Sequence, residues 1–328
     1  MVSNRIIFKV GFCLRVNYKL INDFVFVASS INEIDFESFN HCIIFAPVEE
    51  LRLIVLHINL RRYLMLTKLQ MRPNQIDKTQ SVSLITTLIL MLNYNGHKTR
   101  IEETGFTTIN NLFSDHQIAK ILQIIDQTDT SRKTFRKSAD LFAIRQFLKE
   151  MPEIYDLIFN AEFKLLIQHL IGSDYFIVKS IYFDKPEQSN WFVSYHQDLT
   201  ISVDKKAKLD HYNKWTVKQD QFSVQPPLDI LKNIYTVRIH LDDTDENNGA
   251  LKVVPASHLK GIYRPEDIDW TTESEEICDV LKGGIMIMKP LLLHSSSRTT
   301  NNQKRRVIHI EFCNQELPEE LKWVERIN

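Results

Sequence analysis

Three short segments of this chain carry a histidine two residues before an acid: His196-Gln197-Asp198, His240-Leu241-Asp242 and His309-Ile310-Glu311. In extended backbone, residues i and i+2 point to the same side, so each pair could deliver two ligands to one metal ion. A third, distant histidine would complete a facial triad and leave the opposite face of the metal open to cosubstrate and oxygen. A bare pair is expected by chance among 11 histidines. A strand histidine is also more often a surface or hydrogen-bonded core residue than a ligand. Context separates the three. His196 closes an aromatic-rich stretch (Trp191, Phe192, Tyr195) and Asp198 opens an irregular polar one, which places that pair at a strand end, where cavities form. His240 is expected mid-strand, with Thr236, Arg238 and Asp242 on a polar face opposite Tyr235, Val237, Ile239 and Leu241. Such a face needs no metal: it is satisfied by solvent or by pairing Arg238 with Asp242.

The candidate third ligand is His294, which ends the apolar run Met288-Lys-Pro-Leu-Leu-Leu293 and precedes Ser295-Ser-Ser297. Eleven residues further on, Arg305 opens the alternating segment Arg305-Arg-Val-Ile-His-Ile-Glu-Phe312. Arg305 shares a face with Val307, His309 and Glu311. If the other face (Arg306, Ile308, Ile310, Phe312) packs on helices, Arg305 points inward. A buried guanidinium requires an anion, and either a dicarboxylate ligand or a salt bridge to Glu311 would meet that need.

These residues need elements to position them, and residues 96–328 supply a pattern. Ser114 with Gln117 reads as a capping box opening a helix through Ile118, Leu122 and Ile125. Helices are also expected over Ala139 to Glu150 and Pro152 to Ile171, the second closed by Gly172. The period then changes to two, with strands expected at Tyr175 to Phe183, Trp191 to His196, Ile234 to Leu241, Ala250 to Val254, Ile285 to Met288 and Arg305 to Phe312. Helices followed by strands indicate a helix-flanked β sandwich or barrel. Residues 199–233, rich in lysine, read as a lid over the site or as a solvated charged loop.

Residues 1–95 form an unassigned extension with no motif and no turn-punctuated strand series. Two readings of it stand: an added domain, or a frame drawn too far upstream with the natural start at Met71 or Met91. With 40 basic and 41 acidic side chains the formal charge is -1, which gives no footprint for nucleic acid or an anionic membrane. The apolar run Ser83–Leu92 is about half of the roughly 20 residues that span a bilayer. Charged residues at Arg5, Lys9, Arg15 and Lys19 interrupt any signal-like apolar core, and four scattered cysteines suit a reducing compartment, so a cytoplasmic location is expected. No feature sets an oligomeric state.

Taken together, His196, Asp198, His294, Ser296 and Arg305 resemble the phytanoyl-CoA dioxygenase family of Fe(II)/2-oxoglutarate oxygenases, whose pattern is His-x-Asp, a long interval, His-x-Ser and an arginine eleven residues beyond the last histidine. The neighbouring text is similar as well: Phe183-Asp-Lys-Pro, Tyr195-His-Gln-Asp-Leu199, Val224-Gln-Pro-Pro227, His240-Leu-Asp-Asp243, Pro255-Ala-Ser-His258 and Gly283-Gly284. The resemblance spans about residues 100–315. It implies a double-stranded β-helix (a jelly roll with flanking helices), Fe(II) held by His196, Asp198 and His294, and 2-oxoglutarate and O2 as cosubstrates. It further implies Arg305 and Ser296 at the distal carboxylate, Trp215 beside the cosubstrate, and His258 as a strand-edge residue rather than a ligand. Related halogenases replace the carboxylate ligand with a small residue; Asp198 therefore implies hydroxylation. Members act on acyl thioesters, amino-acid derivatives and natural products, so the partner implied is a small-molecule substrate. Competing readings are a jelly-roll binding protein without oxygenase activity and a cupin-type isomerase using the same triad.

Overall fold

The computed structural model describes residues 94, 96–129, 134–137, 142–187, 192–218 and 221–327, and the backbone of three strands before them. The chain divides into two compact units, Met1–Ile89 and Leu90–Asn328. In the first, β1 (Ser3–Ile7), β2 (Cys13–Ile21) and β3 (Phe24–Ala28) form an antiparallel sheet in that order. This corrects the expectation that residues 1–95 hold no strand series: the spacing of Arg5, Arg15 and Lys19 among apolar residues suits the period of a strand. The apolar run at 83–92 lies outside the described residues.

The second unit is a double-stranded β-helix. Its strands are β4 (Phe106–Ile109), β5 (Phe135–Lys137), β6 (Phe142–Arg145), β7 (Phe176–Lys185), β8 (Val193–His196), β9 (Ile201–Val203), β10 (Asn213–Lys218), β11 (Gln221–Gln225), β12 (Ile234–His240), β13 (Leu251–Val253), β14 (Glu276–Cys278), β15 (Ile285–Met288), β16 (His294–Ser296) and β17 (Arg305–Cys313). A seven-stranded sheet, β4-β15-β12-β17-β7-β6-β5, faces a four-stranded sheet, β14-β13-β16-β8, and β10-β11-β9 make a small third sheet.

One face of the large sheet packs on helices. Ile118, Ile121 and Ile125 of the helix Asp115–Asp126, and Phe163, Leu166, Ile167 and Leu170 of the helix Ala161–Leu170, share a core with Val237, Ile239, Ile308 and Ile310. The first helix starts as its sequence predicts, with Ser114 and Gln117 in a reciprocal capping box. The second is shorter than expected. Asn160 caps it by accepting from Phe163 N–H at 2.9 Å, and the preceding residues form a 3-10 turn (Pro152–Ile154) and a single α turn (Tyr155–Ile158). Gly172, at φ 120°, follows its end as expected. Of the helix expected over Ala139 to Glu150, the described residues begin as a strand, β6, which pairs with β7 through Phe142↔Asp184 and Ile144↔Tyr182, and are helical over Phe147–Glu150; residues 139–141 lie outside the described residues. Cross-strand burial of Ile144 outweighs local propensity there.

The helix-covered face fixes the register of the other. In β17, Ile308 and Ile310 meet the helices, so Arg305, Val307, His309 and Glu311 point toward the smaller sheet, opposite Lys185, Phe183, Ile181 and Lys179 of β7. Slipping β17 by one residue would bury these charges under the helices. Residues 199–233 are a sheet and a short helix rather than a solvated loop. Val203 and Val224 seat them on an apolar cluster with Trp323, while Lys205, Lys206, Lys208, Lys214 and Lys218 face solvent.

Candidate metal centre

His196 ends β8 and His294 begins β16, and the two are register partners across an antiparallel pair. Their rings lie 4.3 Å apart between centroids. Asp198 is positioned by the backbone just beyond β8, where its N–H donates to Pro290 O at 2.9 Å. Gln197 fastens the same turn: its amide donates to Leu291 O and Gly261 O, and its carbonyl accepts from Tyr263 N–H. As a result, His196 Nε2 and His294 Nε2 each stand 3.8 Å from a different oxygen of Asp198, and the three prospective ligand atoms lie within 4.8 Å of one another. Among the described residues this is the one histidine, cysteine and carboxylate cluster with metal-binding geometry.

The imidazoles are prepared to ligate through Nε2. Nδ1 of His196 lies 2.9 Å from Ser194 O, and Nδ1 of His294 lies 2.9 Å from Leu292 O. A carbonyl accepts, so each Nδ1 carries the proton and each Nε2 presents its lone pair to the centre. Burial holds His294 neutral, lowering its pKa to about 4 against the pull of Asp198. Burial pushes the Asp198 carboxyl up, but His294, His309, His196 and Lys179 together outweigh it and hold the group at about 2. Two neutral nitrogens and one carboxylate oxygen form the donor set of a facial triad. Asp198 remains 31% exposed at its side chain, which leaves the centre open on one side.

The other two pairs stand outside this cluster. His240 Nδ1 bonds the Thr244 hydroxyl at 2.8 Å, and His309 Nε2 bonds Glu311 at 3.0 Å. The expected alternative pairing of Arg238 with Asp242 is also not found. The strand ends at His240, the period of two lapses, and Asp242 instead takes a two-pronged bond from Arg306 at 2.6 and 2.9 Å.

Arg305 is 5% exposed and points between the sheets. It does not pair with Glu311, which is bonded to Lys179 at 2.7 Å. Its NH1 donates to Gly249 O, where the Ser296 hydroxyl also donates at 3.0 Å, and its Nε has no partner among the described residues. Burial, with the nearby Arg238 charge, lowers its pKa to about 9. A buried cation bonded only to a carbonyl is short of an anion, so the side chains fit a dicarboxylate as well as they fit a metal. Gly249 makes this cradle possible: at φ +89°, a Cβ there would meet Ser297 O at 2.7 Å and Lys185 Nζ at 2.8 Å. Trp215 sits half-buried on β10, against the apolar cluster of Val203, Val224 and Trp323. His258 is not at a strand edge: it lies in a 3-10 turn, Ser257–Lys260, with Nε2 3.2 Å from Glu102 O.

The polar row Arg238, His309, Glu311 and Lys179 was not anticipated as part of the site. Arg238 NH1 lies 3.3 Å from His309 Nδ1, which continues the row across β12 and β17 toward the metal centre. Its signal in the sequence is the polar face of β12, which points to the cavity and not to solvent.

Comparison with known proteins agrees with this architecture. EctD from S. alaskensis in its apo form superposes with a TM-score of 0.54 at 14% identity, covering 69% of this chain and 79% of that one. The epimerase SnoN, in a complex with Fe3+, alpha ketoglutarate and nogalamycin RO, gives 0.51 at 12% identity over 68% of this chain and 84% of that chain. EvdMO1 is 22% identical with a TM-score of 0.48; the match covers 67% of this chain and 49% of that protein, so the chain spans about half of its length. The likenesses to EctD and SnoN show a shared fold. No curated protein sequence matches. The family model for phytanoyl-CoA dioxygenase (PhyH) matches residues 101–307, a span holding the whole triad and Arg305. The chain therefore belongs to the phytanoyl-CoA dioxygenase family.

Proposed function

We propose that this protein is an Fe(II)/2-oxoglutarate-dependent dioxygenase that hydroxylates a small-molecule substrate, with its activity in residues 96–328 and none assigned to 1–95. One observation carries the reading: a complete His196, Asp198, His294 triad beside a buried Arg305 that lacks an anion. A binding protein without oxygenase activity has no use for that uncompensated cation.

His196, Asp198 and His294 would hold iron, and Arg305 would take the distal carboxylate of 2-oxoglutarate with the Ser296 hydroxyl beside it. Iron and cosubstrate together supply the oxidative chemistry, in which 2-oxoglutarate and O2 give succinate, carbon dioxide and an oxygen atom for the substrate. The chain's part is to bind, orient and shield. Anchoring Nδ1 of both histidines fixes the ring planes before metal arrives, which saves reorganisation at the site. Asp198 stays ionised across the physiological range and supplies one negative charge. Its presence favours hydroxylation over halogenation. Val307, buried on the inner face of β17, is the apolar neighbour of Arg305 there. Trp215 would lie beside the cosubstrate, reaching it from β10, where it also packs on the apolar cluster.

Among the described residues no helix is long and apolar enough to cross a membrane, and Cys278 and Cys313 are free thiols, which supports the proposal of a reducing, cytoplasmic setting. The assignment is tested by anaerobic calorimetry of 2-oxoglutarate with Fe(II)-loaded protein, comparing Arg305→Ala and Asp198→Ala. Metal-dependent binding lost in both variants is expected, followed by succinate release with substrate. A wild type that does not bind the 2-oxo acid would leave the non-oxygenase jelly roll as the reading.

A further inference from the structure

The barrel interior holds a second buried guanidinium that the triad and Arg305 do not account for. Arg238, on β12, is 8% exposed. Strand register places it opposite His309 of β17 and Met286 of β15, on the inner face that also carries Arg305. Its one hydrogen-bond contact among the described residues is NH1 to His309 Nδ1 at 3.3 Å, and its Nε, enclosed in the interior, has no partner. His309 does not compensate for the charge, since its other nitrogen is engaged by Glu311 and that acid is already neutralised by Lys179 at 2.7 Å. A guanidinium left this way requires a planar, two-oxygen anion.

Strand register places the space that such an anion would fill. His309, the partner of Arg238, and Arg305 share one face of β17, so the two guanidiniums line the same inner wall from neighbouring strands. A 2-oxo diacid offers one carboxylate to each of them.

We propose that Arg238 is a second cosubstrate anchor, holding the carboxylate next to the keto group while Arg305 holds the far one. This rests on the 2-oxoglutarate reading above and goes beyond it. It makes Arg238 a binding residue for every 2-oxo acid, whereas Arg305 selects those with a second carboxylate. The division follows from geometry: the two side chains rise from different strands, β12 and β17, and each has its own unpaired Nε.

The experiment separates the two ends of the ligand. Fe(II)-loaded wild type, Arg238→Gln, Arg238→Lys and Arg305→Gln are titrated anaerobically by calorimetry with 2-oxoglutarate and with 2-oxobutyrate, which lacks the distal carboxylate. Arg238→Gln should weaken both acids by about tenfold or more, the loss of a charge-assisted bond. Arg238→Lys keeps the charge but not the fork and should recover part of that loss. Arg305→Gln should weaken 2-oxoglutarate and leave 2-oxobutyrate unchanged. Co(II) binding, followed by its visible absorption, should be at least as tight in Arg238→Gln as in the wild type, because Arg238 is not a ligand and its charge opposes the metal. Unchanged affinity for both acids in Arg238→Gln would overturn the proposal. So would a loss confined to 2-oxoglutarate, which would move Arg238 to the distal end, or a loss of Co(II) binding, which would make its role structural. A wild type that binds neither acid would instead refute the oxygenase reading itself.

Discussion

Replacing Glu325 with glutamine should flatten a fall in stability that this carboxyl imposes as pH rises. Glu325 is fully buried on the C-terminal tail, where it accepts from Ser180 N–H at 2.6 Å and from the Ser180 hydroxyl at 2.5 Å on β7. Burial disfavours the charged form more than these bonds and Lys149 favour it, so its pKa rises from the ordinary 4.5 to about 7. Below pH 4.5 both the folded and unfolded chains carry the proton, and the group takes nothing from stability. Between 4.5 and about 7 the unfolded chain releases its proton first, and stability falls by about 1.4 kcal/mol per pH unit. Above the folded pKa the loss is complete at about 3 kcal/mol, a large share of the 5–15 kcal/mol typical of a domain. Glutamine has nearly the same shape, and its amide can donate to the Ser180 hydroxyl oxygen. Urea unfolding of both proteins at pH 5, 6, 7 and 8 isolates this one group, because all other titrations cancel in the difference. Glu325→Gln should match the wild type near pH 5 and exceed it by about 3 kcal/mol at pH 8. A difference that does not change with pH would refute the reasoning.

Two further substitutions probe the walls of the site. Gly249→Ala places a methyl group 2.7 Å from Ser297 O in a left-handed backbone. Strain of about 1–2 kcal/mol and overpacking of about 1–3 kcal/mol should lower the melting temperature. The same change should weaken 2-oxoglutarate binding by moving the carbonyl shared by Arg305 and Ser296, and a wild-type melting curve would contradict it. Asp242→Asn removes the charge and leaves one acceptor oxygen for the two prongs from Arg306, setting an amide donor against the other, outside the cavity. It should cost about 1–3 kcal/mol in urea unfolding while leaving 2-oxo acid affinity intact, and a parallel loss of affinity would show that the two faces of the sheet are coupled.

The clustering of His196, Asp198 and His294 was legible because its signals are local in sequence: a His-x-Asp pair at a strand end and a histidine closing an apolar run. Alternation also located β12 and β17, since each buries one face under helices, and β15 showed as a short apolar run between Gly284 and Pro290. Where a signal depends on a partner far along the chain, it failed. β6 reads as helix until β7 is beside it, and β9, β10 and β11 read as a charged loop because they bury only Ile201, Val203 and Val224 and the segment joining β9 to β10 is rich in exposed lysine. Arg238 is the instructive miss. A polar face on a strand is ambiguous between solvent and a cavity, and only the helices on the opposite face of the large sheet decide that it looks inward.

That inward face also explains why the polar residues of the barrel are retained at all. Lys179, Lys185, Arg238 and Arg305 share the interior with two acids, Asp198 and Glu311. Burial of such an excess of cations is unfavourable, as the lowering of Lys185 to about 8 and Arg238 to about 10 records. An apolar row at these positions would pack better and fold more stably. The arrangement makes sense if the compensating charge is a ligand: a dianion entering this space would relieve desolvated cations on two strands at once. It would do so at the point where the triad leaves one side of its metal position open. The instability of the empty interior and its affinity for a dicarboxylate are then the same electrostatic fact.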